Sequence, residues 1–305
     1  MLSFAQMTSS PSASAKPSRS KRSDAQPSVI FLHIGKTAGT TLRQILRKQY
    51  SPAETLLIRS RPLRAERPED RPTRESTIGY FASLPEIERG RASLILGHTI
   101  FGIHRYVPRP ATYFTLLRDP VALTISQYNY VARNPKHPLH GAASYRSLEA
   151  YVTSGVTLEA DNSQTRAIAG DTTTPFGGCT DAMLELAKAN IEEHFSVVGA
   201  VERFDESLLL LQRAFGWSRP YYVRANVTGK KEPVAAEVRE LIRSQNRIDL
   251  ALYAWAAERF ERTVLGRPGF EDDLERFRRS NKLWAPWGRV TYSMPKSIAR
   301  RIRNR

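Results

Sequence analysis

The sequence predicts an α/β protein in which a mostly parallel central sheet is flanked by helices, and two observations carry that prediction. Short apolar, β-branched runs recur along the chain, and longer stretches with helical spacing separate them. Strands joined through an intervening helix make crossover connections, which keep the strands parallel and place helices on both faces of the sheet. The chain has 305 residues, of which 41% are apolar, enough to bury a sizeable core.

The predicted strands are short apolar runs of the kind that fold into a buried sheet, at residues 28–34, 92–97, 111–119 and 196–204. Helices are predicted between and after them, at residues 40–50, 120–133, 144–170 (two helices), 181–195, 206–216 and 235–264 (one or two helices). The first helix is expected to begin near Gly39 or Thr40. Pro120 suits the first position of the second because its φ is fixed, and Asp205 is expected to cap the helix that follows it.

One domain is predicted over residues 28–265, with a disordered basic arm before it (1–27) and a basic, poorly patterned tail after it (266–305). Within the domain, residues 59–75 are rich in proline and arginine and predict a long exposed insertion. The first residues lack the continuous apolar run of a secretory signal, and no stretch approaches the roughly 18 apolar residues of a membrane span. A cytoplasmic location is therefore expected.

The charge balance and the cysteine content limit the kind of partner and compartment. An excess of 46 Lys and Arg over 30 Asp and Glu gives a net charge of +16, which favours anionic partners such as nucleic acid, a membrane surface, a polyanionic sugar or a phosphorylated cofactor. A solvated basic surface with basic tails explains the same excess equally well. The single cysteine, Cys179, excludes an intrachain disulfide and is expected to be inert.

Cationic and basic side chains follow three of the predicted strands at the point where each strand ends. Gly35 and Lys36 follow the first strand, His98 follows the second, and Arg118 lies at the end of the third. Because ligands of open parallel sheets bind beyond the carboxyl ends of the strands, these side chains are expected to converge on one functional edge.

The turn after the first strand predicts a binding site for a single phosphate. A nucleotide-triphosphate loop needs a glycine five residues before the GK pair, and that position is Ile30, inside the strand. The remaining short turn leads directly into a helix, whose first amides and dipole favour an anion. The residues expected to hold the phosphate are Lys36, Thr37, Ala38, Gly39, Thr40 and Thr41.

A second anion site is predicted where the third strand meets the helix after it. Arg118 ends the strand, and Ser126 lies about two turns into the helix, so a guanidinium and a hydroxyl can hold a separate phosphate. The alternative is an Arg118 that pairs with Asp119 and a serine that simply occupies a helix face.

These segments together resemble the PAPS-dependent sulfotransferases. The resemblance is to the carbohydrate group ("sulfotransferase family 2") with its heparan 2-O- and chondroitin-type enzymes, and to bacterial members in particular. It runs in order from about residue 28 to 262, and the most specific segments are FLHIGKTAGTTL (31–42) and FTLLRDPVALTISQYNYV (114–131). Most members have proline where this chain has Gly35, a change expected to loosen the turn but keep its chemistry. The resemblance implies a P-loop-like sulfotransferase fold.

The resemblance also implies a reaction and a role for each residue. PAPS would donate its sulfuryl group to a hydroxyl acceptor, a glycan or a small molecule, by in-line displacement, leaving adenosine 3′,5′-bisphosphate. Lys36 would stabilise the charge on the bridging oxygen, and the turn would hold the 5′-phosphosulfate. Arg118 and Ser126 would hold the 3′-phosphate, Lys230 and Lys231 would close over the nucleotide, and His98 would be the catalytic base. The acceptor cleft or its scaffold would include His104, Asn162, Gln164 and Arg166.

The residues alone leave two questions open: which side chain is the catalytic base, and to which functional class the protein belongs. His is the side chain whose pKa suits proton abstraction, and His98 has rivals in His33, in His104 and in a carboxylate. No metal is expected, because the histidine pairs at 98/104 and 137/140 lack the Cys or carboxylate pattern of a metal site. A P-loop kinase and a basic nucleic-acid-binding protein are the alternative functions, although no nucleic-acid-binding motif accompanies the high charge.

Overall fold

The computed structural model describes residues 26–58, 74–137, 139–141, 147–223 and 233–293. Lys230 and Lys231, which are predicted to close over the nucleotide, lie outside the described residues. So do nearly all of the predicted N-terminal arm (1–27) and of the predicted insertion (59–75).

Five strands form one parallel sheet in the described part of the chain, as the fold-class prediction requires. They are β1 (Ser28–Leu32), β2 (Thr55–Ile58), β3 (Leu94–Gly97), β4 (Ala111–Leu117) and β5 (Phe195–Ala200). Their order across the sheet is β2-β3-β1-β4-β5, and every pairing is parallel.

The order of the strands places a topological switch point between β1 and β4. The chain leaves β1 toward the β2 edge of the sheet and leaves β4 toward the β5 edge. The loops after these two central strands therefore diverge and open a crevice at their carboxyl ends, which is where ligands of such sheets bind.

The helices lie on both faces of the sheet. They are α1 (Gly39–Gln49), α2 (Arg74–Ser83), α3 (Glu86–Gly90), α4 (Pro120–Ala132), α5 (Leu148–Thr153), α6 (Ser163–Ala169), α7 (Asp181–His194), α8 (Phe204–Phe215), α9 (Ala236–Gln245), α10 (Arg247–Leu265) and α11 (Phe270–Ser293). Short 3-10 turns occur at Pro52–Glu54, Ile103–Tyr106 and Leu158–Ala160. No helix in this part of the chain is long and apolar enough to cross a bilayer.

The strands bury both of their faces, which explains their nearly continuous apolar sequence. In β1, Ile30 and Leu32 pack into one core with α6, α7 and α10, while Val29 and Phe31 pack into a second core with α1 and α8. A third cluster joins α4, α5 and α9 at the side of the domain. Two layers of helices thus hold the carboxyl ends of β1 and β4 in place.

The structure departs from the sequence analysis at three elements. The strand β2 was not predicted, because it has only four residues, of which only Ile58 is buried, and it leads directly into a proline- and arginine-rich stretch. Asp205 does not cap its helix: it lies inside α8, and its carboxylate accepts a hydrogen bond from the Tyr222 hydroxyl at 2.7 Å.

The third correction concerns the predicted C-terminal tail (266–305). Residues 270–293 form the helix α11, and Phe270, Leu274 and Phe277 bury one face of it in the core that contains α8. These residues recur at intervals of four and three, which is the spacing that places side chains on one helix face.

The helices α6 and α10 cap each other's N-termini with buried side chains. The Asn162 side-chain oxygen accepts from the amides of Ile248 (3.0 Å) and Asp249 (2.9 Å) at the start of α10. The Asp249 carboxylate in turn accepts from the amides of Gln164 (3.1 Å) and Thr165 (2.7 Å) at the start of α6. Burial raises the pKa of the Asp249 carboxyl, and these hydrogen bonds oppose that shift.

Candidate active site

The turn between β1 and α1 carries backbone strain of the kind that functional loops retain. Lys36 (φ 64°) and Ala38 (φ 60°) both adopt the left-handed conformation, which costs energy in residues that have a Cβ. The Thr37 hydroxyl donates to the Ile34 carbonyl at 2.8 Å and braces the turn from inside. Thr37 is fully buried, so its hydroxyl supports the loop instead of facing a ligand, contrary to the sequence prediction.

The N-terminus of α1 faces the crevice without a side-chain cap. Its N-cap residue is Ala38, which offers no hydrogen bond to the first amides, and the first turn contains no acidic residue. These amides and the helix dipole therefore favour an anion at this point. Thr40 is exposed in the first turn of α1, and Thr41 is buried there.

Gly39 is required at the start of α1 because an imidazole occupies the space of a side chain. A Cβ at Gly39 would lie 1.8 Å from the His33 ring nitrogen Nε2. His33, the first residue after β1, is 8% exposed and stacks on Phe31. Its buried position beneath α1 argues against a role as the base that abstracts a proton from an acceptor.

His98 lies at the carboxyl end of β3, beside this buried histidine. The two imidazole centroids are 4.5 Å apart, and His98 is exposed. An Arg43 guanidinium nitrogen lies 3.3 Å from His98 Nε2. A guanidinium only donates, so any hydrogen bond in this contact runs from Arg43 to the ring nitrogen. The structure thus places an exposed imidazole next to the first turn of α1.

Lys36 lies across the crevice against α4. Its ammonium nitrogen lies 4.2 Å from the centroid of the Tyr130 ring, within the range of a cation–π contact. Burial, with a smaller contribution from Arg118, lowers the pKa of Lys36.

Arg118, the first residue after β4, directly contacts the turn between β1 and α1. We call this turn (residues 35–41) the phosphate loop. Its guanidinium donates to the Lys36 carbonyl at 3.0 Å. Gln164 holds the Arg118 backbone from both sides, accepting from its amide at 2.9 Å and donating to its carbonyl at 2.9 Å. Asp119 instead caps α4 through the Ala122 amide, and no ion pair joins Asp119 to Arg118 in the described structure.

Ser126 lies on the same side of α4 as the lysine contact. It precedes Tyr130 by four residues, which places the two side chains one above the other on the helix. Ser126 is half-buried, and no hydrogen bond joins its hydroxyl to the described part of the chain. Lys36 and Arg118 therefore meet directly, and Ser126 lies one helical turn from Tyr130, the ring that Lys36 contacts.

His104 does not join this site, contrary to the sequence prediction. Its Nδ1 lies 2.9 Å from the Tyr113 hydroxyl, and its ring packs against His194, the residue directly before β5. This cluster lies toward the amino ends of β4 and β5, away from the carboxyl edge that carries Lys36. Burial, then the positive charges of His194 and Arg105, lower the pKa of His104 to about 4.

Asn162 and Arg166 support the scaffold, and the structure does not present them to a ligand. Arg166 is 2% exposed and pairs with Asp161 at 2.5 Å and with Asp171 at 2.9 Å. Its remaining donors bind the carbonyls of Asp161, Thr174 and Pro175. Because every guanidinium donor is used inside the chain, none remains for an acceptor.

Three side chains beside the loop were missed by the sequence predictions. Glu159 places its Oε2 3.4 Å from the position of a Cβ on Gly35, and Gln127 Nε2 donates to that oxygen at 2.9 Å. Tyr130 is 46% exposed over Lys36. The resemblance highlighted Arg118 and Ser126 in the same segment, and the helical spacing of four residues from Ser126 could have identified Tyr130.

The arrangement has the chemistry of anion binding combined with proton transfer. A lysine, an arginine and an uncapped helix N-terminus surround one crevice, and an exposed imidazole lies at its edge. Such preorganised charge is suited to transferring an anionic group to a hydroxyl.

Comparison with known proteins identifies relatives of this chain. A family model described as galactose-3-O-sulfotransferase matches residues 2–285. Galactose-3-O-sulfotransferase 3 from Bos taurus is 28% identical over 275 residues, which are 83% of this chain and 62% of that protein. Galactose-3-O-sulfotransferase 3 from Homo sapiens is 28% identical over 243 residues (74% of this chain, 54% of that protein). Galactose-3-O-sulfotransferase 2 from Homo sapiens is 26% identical over 209 residues (62% and 50%).

The chain spans 50% to 62% of the length of these curated relatives. The match confirms the predicted resemblance to carbohydrate sulfotransferases, and neither the kinase nor the nucleic-acid-binding alternative gains support from these relatives. Since the family model covers residues 2–285, nearly the whole sequence, the chain belongs to the galactose-3-O-sulfotransferase family.

Proposed function

We propose that this protein is a PAPS-dependent sulfotransferase that sulfates a hydroxyl group of a galactose-containing carbohydrate. The observation that carries the proposal is the contact between the loops after β1 and β4, in which Arg118 donates to the Lys36 carbonyl at 3.0 Å at the switch point of the sheet. Two cationic side chains at one crevice suit a nucleotide with phosphates at both ends.

The residues present fit the donor. The uncapped amides of α1 and the Lys36 ammonium suit the 5′-phosphosulfate, and Arg118 with the Ser126 hydroxyl suits the 3′-phosphate. When bound, PAPS supplies an activated sulfuryl group and a stable leaving group, so the chain needs no metal for this chemistry.

Each of the chain's own groups then has one task. Lys36 stabilises negative charge that develops on the leaving phosphate, and its burial strengthens that interaction. His98 takes the proton of the attacking hydroxyl, since its exposed imidazole lies at the carboxyl end of β3 and the ordinary pKa of imidazole suits a general base. Gln164 acts through Arg118 and is a positioning residue.

The names of the relatives support galactose as the acceptor sugar. The narrower grouping with heparan 2-O- and chondroitin-type enzymes and bacterial members stays a prediction. The cytoplasmic location expected from the sequence likewise stays a prediction.

Two measurements test the function. Thermal-shift titrations with adenosine 3′,5′-bisphosphate, ATP and duplex DNA compare the donor product with the ligands of the alternatives, and stabilisation by the first alone is expected. Transfer of ³⁵S-sulfate from PAPS is then measured to a terminal galactoside and to desulfated heparan and chondroitin. Stabilisation by ATP or DNA without any response to the bisphosphate would contradict the proposal.

A further inference from the structure

The phosphate loop has a wall on its α4 side that the donor contacts described above do not use. Gly35 and Lys36 are consecutive, and they face Glu159 and Tyr130 respectively. Gln127 lies three residues before Tyr130 on α4 and binds the Glu159 carboxylate at 2.9 Å. Glu159, Gln127 and Tyr130 therefore line one side of the loop, and we call them the α4 wall.

The α4 wall offers the groups that recognise a sugar. The Tyr130 ring has the Lys36 ammonium over it and is still 46% exposed, so it offers aromatic surface against which the C–H face of a hexose can stack. A carboxylate accepts hydrogen bonds at up to four lone-pair positions, so Glu159 can accept from a sugar hydroxyl in addition to its partners in the chain, which include Gln127. Gln127 is 4% exposed and fixes the carboxylate through its amide, which makes it a positioning residue.

The charge of the wall limits which sugar can bind there. A carboxylate beside an anion-binding loop repels any second anionic group that approaches the same point, and this repulsion rejects an unwanted ligand. The chain as a whole carries a charge of +16, which favours polyanions, whereas the one ionisable side chain of the wall that is acidic, Glu159, lies directly beside the loop. Local charge at the reacting position discriminates more strongly than distant, solvent-screened charge.

We propose that the α4 wall is the acceptor subsite, in which Glu159 and Tyr130 select a neutral hexose and exclude a sugar that carries a carboxylate. This inference rests on the proposed sulfotransferase function and assigns the side chains that determine its acceptor class. The substrate class is a neutral, hydroxyl-rich sugar whose apolar face stacks on Tyr130 while a hydroxyl donates to Glu159.

The test compares two acceptors that differ only at C6, methyl β-galactoside and methyl β-galacturonide, in steady-state sulfate transfer by the full chain. For Glu159→Gln, the KM for the galactoside is expected to rise about 10- to 100-fold, the scale of a lost hydrogen bond to a charged group. The preference for the galactoside over the galacturonide should fall by a similar factor. Calorimetry should show that the affinity for adenosine 3′,5′-bisphosphate is not weakened.

Matched variants separate recognition from folding. Glu149→Gln makes the same change at an exposed carboxylate in the first turn of α5, and it should leave both acceptors and the bisphosphate affinity unchanged. Tyr130→Phe keeps the ring and should behave like the wild type, whereas Tyr130→Leu should raise the galactoside KM by about 2- to 10-fold, the scale of a lost aromatic contact.

Three outcomes would overturn the assignment. They are an unchanged galactoside preference in Glu159→Gln, a loss confined to kcat at constant KM, and weaker bisphosphate binding in that variant. If the wild-type enzyme transfers sulfate, each of these outcomes refutes the subsite and leaves the proposed function intact. A wild-type protein that binds no bisphosphate and transfers no sulfate overturns both proposals.

Discussion

His98 and His104 are six residues apart in the sequence, yet they lie in regions with opposite character. His98 follows β3 at the carboxyl edge of the sheet, where it is exposed and contacts Arg43 at 3.3 Å. His104 packs between Tyr113 and His194 toward the amino edge, where burial and neighbouring positive charge lower its pKa to about 4. One region presents its imidazole to solvent and a ligand, and the other uses its imidazole as a packing group.

The difference shows that the position relative to a strand end decides what a histidine can do in this fold. The turn between β3 and the 3-10 segment Ile103–Tyr106 carries the chain from one edge of the sheet toward the other. Sequence proximity to His98 therefore gave no information about His104.

The largest expected effect tests whether the carboxyl edge performs the chemistry. Lys36→Ala should lower sulfate transfer by about 10³-fold or more, because it removes the cation that stabilises the leaving phosphate. Circular dichroism should show an intact fold, since Lys36 is only half-buried and lies in a loop. Lys188→Ala on α7 is the matched control. Full turnover by Lys36→Ala would remove the phosphate loop from the mechanism.

The next effect compares the two histidines directly. His98→Gln should lower kcat by about 10²- to 10⁴-fold, the contribution of a general base, and should abolish the ionisation seen on the acid side of the pH–rate profile. His104→Gln should leave kcat within about threefold of the wild type. Equal losses in the two variants would contradict the assignment of the base.

A smaller effect concerns the grip on the nucleotide. Arg118→Ala should weaken the binding of adenosine 3′,5′-bisphosphate by about 2–3 kcal/mol, the scale of a lost charge-assisted hydrogen bond. Isothermal titration calorimetry measures this change. Arg105→Ala, which removes a charge from the region around His104, is the control. Unchanged affinity in Arg118→Ala would take Arg118 out of the site.

The smallest expected effect concerns His104, near the amino edge of the sheet, and the pH dependence of the free energy of unfolding. Because the folded-state pKa of His104 lies near 4 and its ordinary value is 6.5, the unfolded chain binds more protons between these values. The free energy of unfolding should therefore fall as the pH drops from about 6.5 to about 4. Urea titrations at several pH values should show a shallower dependence for His104→Gln, and an identical dependence would contradict the buried neutral imidazole.

The sequence predicted the sheet well because buried parallel strands leave a clear apolar signal. It also placed Lys36, His98 and Arg118 at strand ends, a rule that depends only on the alternation of strands and helices. The strand β2 was missed because it is short and three of its four residues are partly exposed at an edge of the sheet. The helix α11 was missed although Phe270, Leu274 and Phe277 carry its spacing.

The side chains that support the site were harder to predict because their roles depend on contacts between distant segments. Gln164 holds Arg118 through the backbone, and Arg166 is fully occupied by Asp161, Asp171 and nearby carbonyls. A sequence shows that such polar residues cluster, but the contacts that distinguish a scaffold from a ligand site form only in the fold.

The reciprocal capping of α6 and α10 has a consequence for how the site opens. Neither helix can fray at its first turn without leaving the buried Asn162 or Asp249 without its hydrogen bonds, so the two N-termini open as one cooperative unit. Because Gln164 at the start of α6 holds the Arg118 backbone, we expect nucleotide binding at Arg118 to protect the first amides of α10 from hydrogen–deuterium exchange, although no residue of α10 is among the proposed nucleotide contacts.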